Sequence, residues 1–263
     1  MNVLEGIIAT TRLDVAERRR RTPVAELQRQ VAERAATGDR RSFAGALRAP
    51  GLSVIAEHKR SSPSAGVIRT GSELAAVVSA YERAGAAALS ILTEERNFGG
   101  TLDDLRAARA VALLPLLRKD FVVDPYQVYE AGAAGADAIL LIVAALEPTA
   151  LSELHALAGE LELAALVEVH DAHELELAVN LGAELIGVNN RDLTTLRVDT
   201  ERTFALRELI PAGPIVVAES GFSTPEQLAR LAGAGIDAVL VGEALMRSPD
   251  VEAACRALTG VAV

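Results

Sequence analysis

Glu57 and Lys59 stand two residues apart at the end of a short apolar run, in the segment SVIAEHKRSSPSAG at 53–66. Side chains at positions i and i+2 of a strand share a face, so an acid and an amine leave this strand end together. Of the 26 Lys and Arg residues only two are lysines, Lys59 and Lys119, and both follow apolar runs. A partly buried lysine can release a proton where an arginine cannot, so this usage indicates proton transfer.

Other apolar runs also end in polar side chains. Glu168 ends AALVEVH and Glu219 ends IVVAESGFS. Two amines among three carboxylates can hold acid and base forms together near neutral pH. A ring of structural ion pairs is the alternative interpretation of these five residues. The remaining polar or glycine strand ends are Asn189, Asn190 and Arg191, then Ser220 and Gly221, and Gly242 and Glu243.

Two glycine-containing segments, Gly221–Thr224 and Gly242–Ala244, lead into predicted helix starts. Unpaired N–H groups and the helix dipole attract an anion at such a place. If the chain forms a (β/α)₈ barrel, these segments follow strands 7 and 8, which is the usual phosphate site of that fold. The pattern therefore favours a phosphorylated substrate, with plain tight turns as the alternative.

The histidines and the cysteine form no comparable group. His170 and His173 are three residues apart at a predicted helix start, but no Cys and no third ligand accompany them, so no metal site is expected. His58 should face the packing layer, because it alternates with its two charged neighbours. His155 and Cys255 fall on predicted helices and are expected to be structural.

Apolar runs and amphipathic helical patterns alternate from residue 53 onward. The runs lie at about 53–58, 87–92, 113–118, 137–143, 163–168, 184–189, 214–218 and 237–242. The helical patterns lie near 73–84, 102–111, 125–134, 147–160, 172–181, 200–210, 225–234 and 249–258. Because the runs are apolar almost throughout, they predict parallel strands that are covered on both faces.

An internal repeat supports this reading. Gly85, Gly135, Gly182 and Gly235 each stand between a helical pattern and an apolar run, where a left-handed helix end is wanted. Eight βα units with a two-unit period predict a closed (β/α)₈ TIM barrel rather than an open doubly wound sheet. No G-x-G-x-x-G follows the first strand, which argues against a dinucleotide site.

Two helical patterns, at 2–20 and 23–37, precede the first strand. Pro23 is expected in the first turn of the second helix, with Thr22 as its N-cap. The prediction is an N-terminal helical extension at 1–48 packed on a barrel at 49–263, forming a single domain overall. The sequence leaves open whether this extension covers the mouth of the barrel or plugs it.

Charge and hydropathy limit the partners and the compartment. The net charge is −10, and residues 1–48 hold ten arginines against six acidic residues. The acidic body argues against nucleic acid; Arg18–Arg21 could bind RNA but is better read as a helix face contacting solvent or the barrel. No apolar run suits a membrane span, the N-terminus does not resemble a secretory signal, and one cysteine excludes an intramolecular disulfide. A cytoplasmic protein is expected.

Eight motifs follow one another in order over essentially the whole chain: VIAEHKRSSPSAG, LTEERNFGG, LRKDFVVDPYQVYEA, LLIVAAL, LVEVH, IGVNNRDLTTL, VAESGFST and VLVGEALM. Through these motifs the chain resembles the indole-3-glycerol phosphate synthase family of tryptophan biosynthesis. The resemblance implies a carboxy-lyase that converts 1-(2-carboxyphenylamino)-1-deoxyribulose 5-phosphate into indole-3-glycerol phosphate, without cofactor or metal. The expected partner is this small phosphorylated molecule, with no nucleic acid and no membrane, and the expected state is a monomer.

The resemblance also implies roles for individual residues. Lys119 would be the general acid that protonates the ketone oxygen, and Glu168 would stabilise positive charge or act as base in dehydration. Lys59 would pair with the substrate carboxylate and transfer a proton in the later step, while Glu57 would orient both lysines. Asn189, Glu219 and Ser220 would position the substrate.

Two further groups follow from the same resemblance. The phosphate cradle would consist of Ser62, Gly221, Gly242, the backbone of Glu243 and the nearby Arg191. The apolar pocket for the anthranilate ring would consist of Phe98, Phe121, Leu140, Leu193 and Leu240.

Two other functions fit parts of the same sequence pattern. A barrel similar to phosphoribosylanthranilate isomerase would share the phosphate site but should use a Cys/Asp acid–base pair, and Cys255 lies on the last predicted helix. A non-catalytic barrel that binds a phosphorylated metabolite would need neither lysine, nor Glu168, for ligand affinity.

Overall fold

Eight parallel strands form a closed barrel in the computed structural model, which describes residues 2–71 and 73–260. The strands are β1 Ser53–His58, β2 Ala88–Leu92, β3 Leu116–Lys119, β4 Ala138–Ile142, β5 Ala164–Val169, β6 Leu185–Asn189, β7 Ile215–Glu219 and β8 Ala238–Val241. Each strand pairs with the next along the chain, and β1 closes the ring on β8 with Ser53 opposite Ala238. The predicted (β/α)₈ barrel is confirmed.

Helices surround the barrel and precede it. They are α1 Val3–Arg21, α2 Val24–Thr37, α3 Phe43–Leu47, α4 Leu74–Arg83, α5 Glu95–Phe98, α6 Leu102–Val111, α7 Pro125–Ala134, α8 Pro148–Glu160, α9 Ala172–Asn180, α10 Glu201–Arg207, α11 Pro225–Gly233, α12 Glu243–Arg247 and α13 Val251–Thr259. A 3₁₀ turn covers Val143–Ala145, and a short antiparallel ladder joins Ser61–Ser62 to Gly66–Val67. Within the described residues, no helix is both long and apolar enough to cross a membrane.

The repeated glycines have the backbone that the sequence predicted. Gly85, Gly135, Gly182 and Gly235 have φ values of 88°, 99°, 76° and 73°. A side chain is strained at such angles, so glycine suits the turn from each helix into the strand that follows. These turns precede β2, β4, β6 and β8, which confirms the two-unit repeat.

Several boundaries differ from the sequence expectation by one to three residues, and two of these differences have a clear physical reason. Thr22 is the C-cap of α1, because its amide donates to the carbonyl of Arg18 at 2.8 Å, and Pro23 itself is the N-cap of α2. Thr22 therefore belongs to the helix that ends there, so it does not cap the helix that follows. The third strand begins at Leu116 rather than at 113, because Leu113 is 76% exposed and Pro115 has no amide to donate to a ladder.

Two aliphatic cores hold the barrel together. Outward-facing strand residues such as Leu89 and Leu141 pack against the surrounding helices. Inward-facing residues such as Ile55, Leu117 and Leu166 fill the interior. The alternation of side chains along each strand produces this division, and it explains why the runs are apolar throughout.

The N-terminal extension contacts both ends of the barrel. Phe43 and Leu47 of α3 join the inner core, and Arg41 just before them bonds the carbonyl of Ala112 at 2.7 Å, on the side where the strands begin. Leu4 and Ile7 of α1 pack on the same inner core and line the cavity at the strand ends. The extension therefore plugs one end with α3 and reaches the mouth with α1.

Buried ion pairs connect the extension to the barrel wall. Arg18 of α1 contacts Glu130 at 2.6 Å, and Glu130 also contacts Arg118 at 3.3 Å. Arg118 is fully buried on the outer face of β3, next to Lys119 in sequence. Arg34 of α2 contacts Asp137 at 2.7 Å just before β4. Pairing of this kind is what permits charge in a protein interior.

Candidate active site

A cavity of about 380 Å³ lies at the carboxyl ends of the strands. Every residue that the sequence singled out for catalysis, for the phosphate cradle or for the apolar pocket lines it. Val3, Leu4 and Ile7 of α1 also line it, which the sequence did not indicate. One concave site with convergent polar groups is the expected form of a small-molecule site.

Lys119 is bonded to two carboxylates. Its Nζ lies 2.9 Å from Oε2 of Glu168 on β5 and 3.0 Å from Oε2 of Glu219 on β7. Burial alone would lower the pKa of Lys119, but Glu168 and Glu219 outweigh burial and raise this pKa above its ordinary value. Lys119 is therefore held as an ammonium group that faces the cavity.

Glu219 is the carboxyl group that can hold a proton at neutral pH. Burial, reinforced by the nearby charge of Glu168, raises the pKa of Glu219 to about 7 against the opposing effect of Lys119. Its Oε1 has no hydrogen-bond partner among residues 2–71 and 73–260. A Cβ on Gly187 of β6 would lie 2.3 Å from this oxygen, so glycine is needed there to seat the carboxylate. The signal for Gly187 in the sequence is a lone glycine inside an apolar strand.

Glu57 is bonded to one lysine only. Its Oε1 lies 2.9 Å from Nζ of Lys59, and Ser90 Oγ on β2 donates to its Oε2 at 3.2 Å. Lys119 is paired directly with carboxylates from β5 and β7, and the charge of Glu57 reaches it only at longer range, where it helps to raise the pKa of Lys119. That Glu57 orients both lysines stays a prediction. Gly242 makes room for Glu57, since a Cβ there would lie 2.3 Å from Oε1.

Glu168 is almost fully buried and surrounded by polar groups. Asn189 Nδ2 donates to its Oε1 at 3.0 Å, and the Oδ1 of Asn189 accepts from the amide of Arg191 at 3.0 Å. Burial raises the pKa of Glu168, but the charges of Lys119 and His170 outweigh burial and lower this pKa. Glu168 is thus ionised and ready to accept a proton.

The loops after β7, β8 and β1 form the polar rim. Ser220 and Gly221 have φ values of 66° and 92°, and a Cβ on Gly221 would lie 2.7 Å from side-chain atoms of Val198 and Thr200. Gly242 precedes α12, whose first-turn amides have no partner within the helix. Ser62 Oγ accepts from the amide of Ala65 at 3.2 Å. These amides and hydroxyls can bind an anion.

Aromatic and aliphatic side chains form the apolar wall. Phe98 and Phe121 have ring centroids 6.3 Å apart at an angle of 42°. Leu140, Leu193 and Leu240 complete the wall from other strands and loops. A flat aromatic ring matches this lining, because its burial removes apolar surface from water on both sides.

In the sequence His170 stands out only as a possible metal ligand, whereas the structure places it beside Glu168. Its Nε2 lies 3.4 Å from Oε1 of Glu168, two residues earlier on the same strand face. The spacing i, i+2 that identified the first acid–amine pair could have identified this contact also. Across the described parts of the chain, 2–71 and 73–260, no group of three or more potential ligands could hold a metal ion.

Sequence comparison identifies close relatives of the chain. A family model described as indole-3-glycerol phosphate synthase matches residues 4–258. The indole-3-glycerol phosphate synthase of Nocardioides sp. (strain ATCC BAA-499 / JS614) is 51% identical, with 99% of each chain covered. That of Parafrankia sp. (strain EAN1pec) is 52% identical, over 95% of this chain and 92% of the relative.

Solved structures of lower identity share the fold. Thiamine phosphate pyrophosphorylase from Pyrococcus furiosus superposes with a TM-score of 0.60 at 21% identity, covering 80% of this chain and 95% of that one. The 3-hexulose-6-phosphate synthase from Salmonella typhimurium gives 0.61 at 14% identity, covering 80% and 98%. At this identity the likeness concerns the barrel alone.

Proposed function

The chain belongs to the indole-3-glycerol phosphate synthase family, and on that premise we propose how its own residues carry out the reaction. The enzyme is a carboxy-lyase of tryptophan biosynthesis that acts on a small phosphorylated substrate. It converts 1-(2-carboxyphenylamino)-1-deoxyribulose 5-phosphate into indole-3-glycerol phosphate, with loss of CO₂ and water.

Substrate binding brings two carbon atoms together. The apolar wall around Phe98 and Phe121 takes the aryl ring, and the rim at Ser62, Gly221 and Gly242 takes the phosphate. The aryl carbon that bears the carboxylate then faces the ketone carbon. Orientation of this kind can contribute several kcal/mol, roughly 7–11 in the best intramolecular cases.

Lys119 acts as general acid in ring closure. As the new carbon–carbon bond forms, the ammonium group gives its proton to the ketone oxygen, which becomes a hydroxyl. The observation that carries this role is the position of Nζ, which faces the cavity 2.9 and 3.0 Å from Glu168 and Glu219. Glu219, with a pKa of about 7, can return a proton to the amine.

Lys59 and Glu168 act in the later steps. Lys59, whose Nζ lies 2.9 Å from Oε1 of Glu57, pairs with the substrate carboxylate. That carboxylate then leaves as CO₂, and the aryl ring regains its aromaticity. The hydroxyl then departs as water with a proton from Lys59, while Glu168 takes a proton from the carbon beside the ring nitrogen. The lowered pKa of Glu168 supports this base role.

Replacement of Lys119 tests the assignment. Purified protein should form the fluorescent indole product, which is easily followed because the chain contains no tryptophan. Lys119→Ala should lose at least about 10²-fold in kcat, as expected for a general acid. The control is Arg106→Ala, a surface change on α6 outside the cavity. An inactive wild type would contradict the family reaction, and a variant that keeps most of the rate would contradict the role of Lys119.

The isomerase alternative receives less support. Cys255 is buried on α13 and does not line the cavity, so it is not placed for the acid–base pair expected of an isomerase. We also propose that the enzyme is a monomer in the cytoplasm; the cytoplasm is favoured because a chain of 263 residues with one cysteine is typical of a reducing compartment. Light scattering that gave a multiple of 27.6 kDa would contradict the monomer.

A further inference from the structure

His170 is fixed between two carboxylates at the end of β5. Its Nδ1 lies 3.0 Å from Oε2 of Glu174 on α9, and its own amide donates to the same oxygen at 2.7 Å. On the other side its Nε2 lies 3.4 Å from Oε1 of Glu168. In the neutral form with Nδ1–H directed to Glu174, the Nε2 lone pair faces Glu168; in the imidazolium form both nitrogens carry a proton, and the charge stabilises the Glu168 carboxylate.

The other groups that contact Glu168 can only donate protons. Lys119 contacts Oε2 as an ammonium, and Asn189 donates an amide N–H to Oε1. Glu168 itself is 1% exposed, so bulk water does not reach it freely. Among the described side chains that contact this carboxylate, the imidazole is therefore the one that can accept a proton. Nε2 has no hydrogen-bond partner of its own within the same described residues.

We propose that His170 is the proton relay of this enzyme, which takes the proton from Glu168 and delivers it to solvent. The proposal rests on the proposed role of Glu168 as base in the dehydration step. The protonated carboxyl of Glu168 gives its proton to Nε2, so that Glu168 is again a carboxylate and His170 is an imidazolium. The imidazolium then gives one proton to water or buffer and returns to neutral imidazole. Glu219, after reprotonating Lys119, and Lys59 each regain a proton from solvent, so the cycle closes with the one net proton that is consumed when the carboxylate leaves as CO₂. His170 thus acts through Glu168 and does not touch the substrate.

The charges around His170 favour this transfer. Three carboxylates face it: Glu168 on β5, Glu174 on α9 and Glu219 on β7. The ammonium of Lys119 is paired with Glu168 and Glu219. The 3₁₀ turn Val143–Ala145, which contacts α9, brings no charge. Burial lowers the pKa of His170, but the three carboxylates outweigh burial and raise this pKa above 6.5. The side chain is 11% exposed, which leaves a route for the proton to leave.

The first test replaces His170 with Asn and then adds free imidazole to the assay. His170→Asn should lower kcat by about tenfold or more, with KM unchanged within about twofold. Free imidazole in the assay should restore the rate in proportion to its concentration, because it replaces the missing proton acceptor. The matched control is His173→Asn, which alters an exposed histidine three residues away and should behave as wild type. A wild-type rate in His170→Asn, or a loss that imidazole does not relieve, would overturn the relay.

A second variant tests the relay with the imidazole left in place. Glu174→Gln removes one of the carboxylates that raise the pKa of His170. The acid limb of the kcat profile, where protonated His170 can no longer accept, should move to lower pH. An unmoved limb would count against the relay, even if His170→Asn failed to fold.

Glu168→Gln separates the two proposals. If Glu168→Gln kept its activity, the role of Glu168 as base would be wrong. If Glu168→Gln were inactive while His170→Asn matched wild type at every pH, only the relay would be wrong.

Discussion

Glu57, Glu168 and Glu219 carry the same carboxyl group in one cavity but have different neighbours. Glu168 meets Lys119, Asn189 and His170, which keep it ionised. Glu219 leaves Oε1 without a partner in the described residues, and burial raises its pKa to about 7. An acid form and a base form can therefore coexist at neutral pH.

The pKa of His58 makes the stability of the protein depend on pH. This side chain is buried on the outer face of β1, and burial, with a smaller effect of Arg60, lowers the pKa to about 4. An unfolded histidine titrates near 6.5, so between pH 6.5 and 4 the unfolded state binds more protons than the folded one. Stability from this group is present above pH 6.5 and should fall by roughly 2–3 kcal/mol as pH drops to 4.

His58→Leu should remove this part of the pH dependence. The difference in unfolding free energy between wild type and variant, from urea titrations followed by circular dichroism, should change between pH 7 and 4.5. The matched control is His173→Leu, whose side chain is exposed and should not alter the slope. Parallel pH profiles for wild type and His58→Leu would contradict the prediction.

Two helices of the N-terminal extension have different functions: α1 lines the cavity and α3 packs in the core. Val3 is the first residue of α1, is 38% exposed and lines the cavity. Phe43 of α3 is 1% exposed and belongs to the inner core. Substrate affinity and stability should therefore respond to different helices.

Val3→Asp should raise KM with little change in melting temperature. An acid at the start of a helix is favourable, but its charge at the cavity opposes an anionic substrate by about 1 kcal/mol, or about fivefold in KM. Phe43→Ala should instead cost about 3–5 kcal/mol of stability with KM unchanged. Leu13→Asp, on an exposed site of α1 outside the cavity, is the matched control. Equal KM values for Val3→Asp and Leu13→Asp would contradict the task assigned to α1.

The order of the elements could be predicted from the sequence because hydrophobic period and turn glycines are local signals. The polar strand ends followed from that order, whereas Ser62 and the apolar pocket were implied only by the family resemblance; in both sets, the residues with an assigned role line the cavity. The room that Gly187 and Gly242 leave for Glu219 and Glu57 arises between neighbouring strands. A glycine in or just after an apolar strand marks the position, but it does not show which carboxylate the glycine accommodates. The contact of Arg118 with Asp120 is local, since the two residues are two positions apart, whereas its contact with Glu130 depends on how α7 packs on β3 and could not be predicted.

The whole chain is expected to unfold as one unit. Arg18 ties α1 to Glu130, and Arg34 ties α2 to Asp137, where Arg109 also binds at 2.7 Å. Loss of one partner from a buried pair typically costs about 3–5 kcal/mol, so these contacts couple the extension to the barrel. Urea transitions followed by circular dichroism and by tyrosine fluorescence should coincide.

Asp137→Asn provides the test of this coupling. It should lower the midpoint but leave the two transitions coincident, because Arg18 and the core of α3 still attach the extension. The conservative control is Asp103→Asn, whose side chain is 88% exposed. A first transition that released the extension alone, in wild type, would contradict a single domain.

The pairing of β1 with β8 determines when the barrel can close during synthesis of the chain. Ser53 and Ala238 are opposite one another, so the ring cannot close until nearly the whole chain has left the ribosome. Until then β1 presents an open edge of unpaired N–H and C=O groups, next to an incomplete cavity. The nascent chain therefore emerges as an incomplete barrel that needs protection from aggregation, and catalytic competence arrives only with the last βα unit.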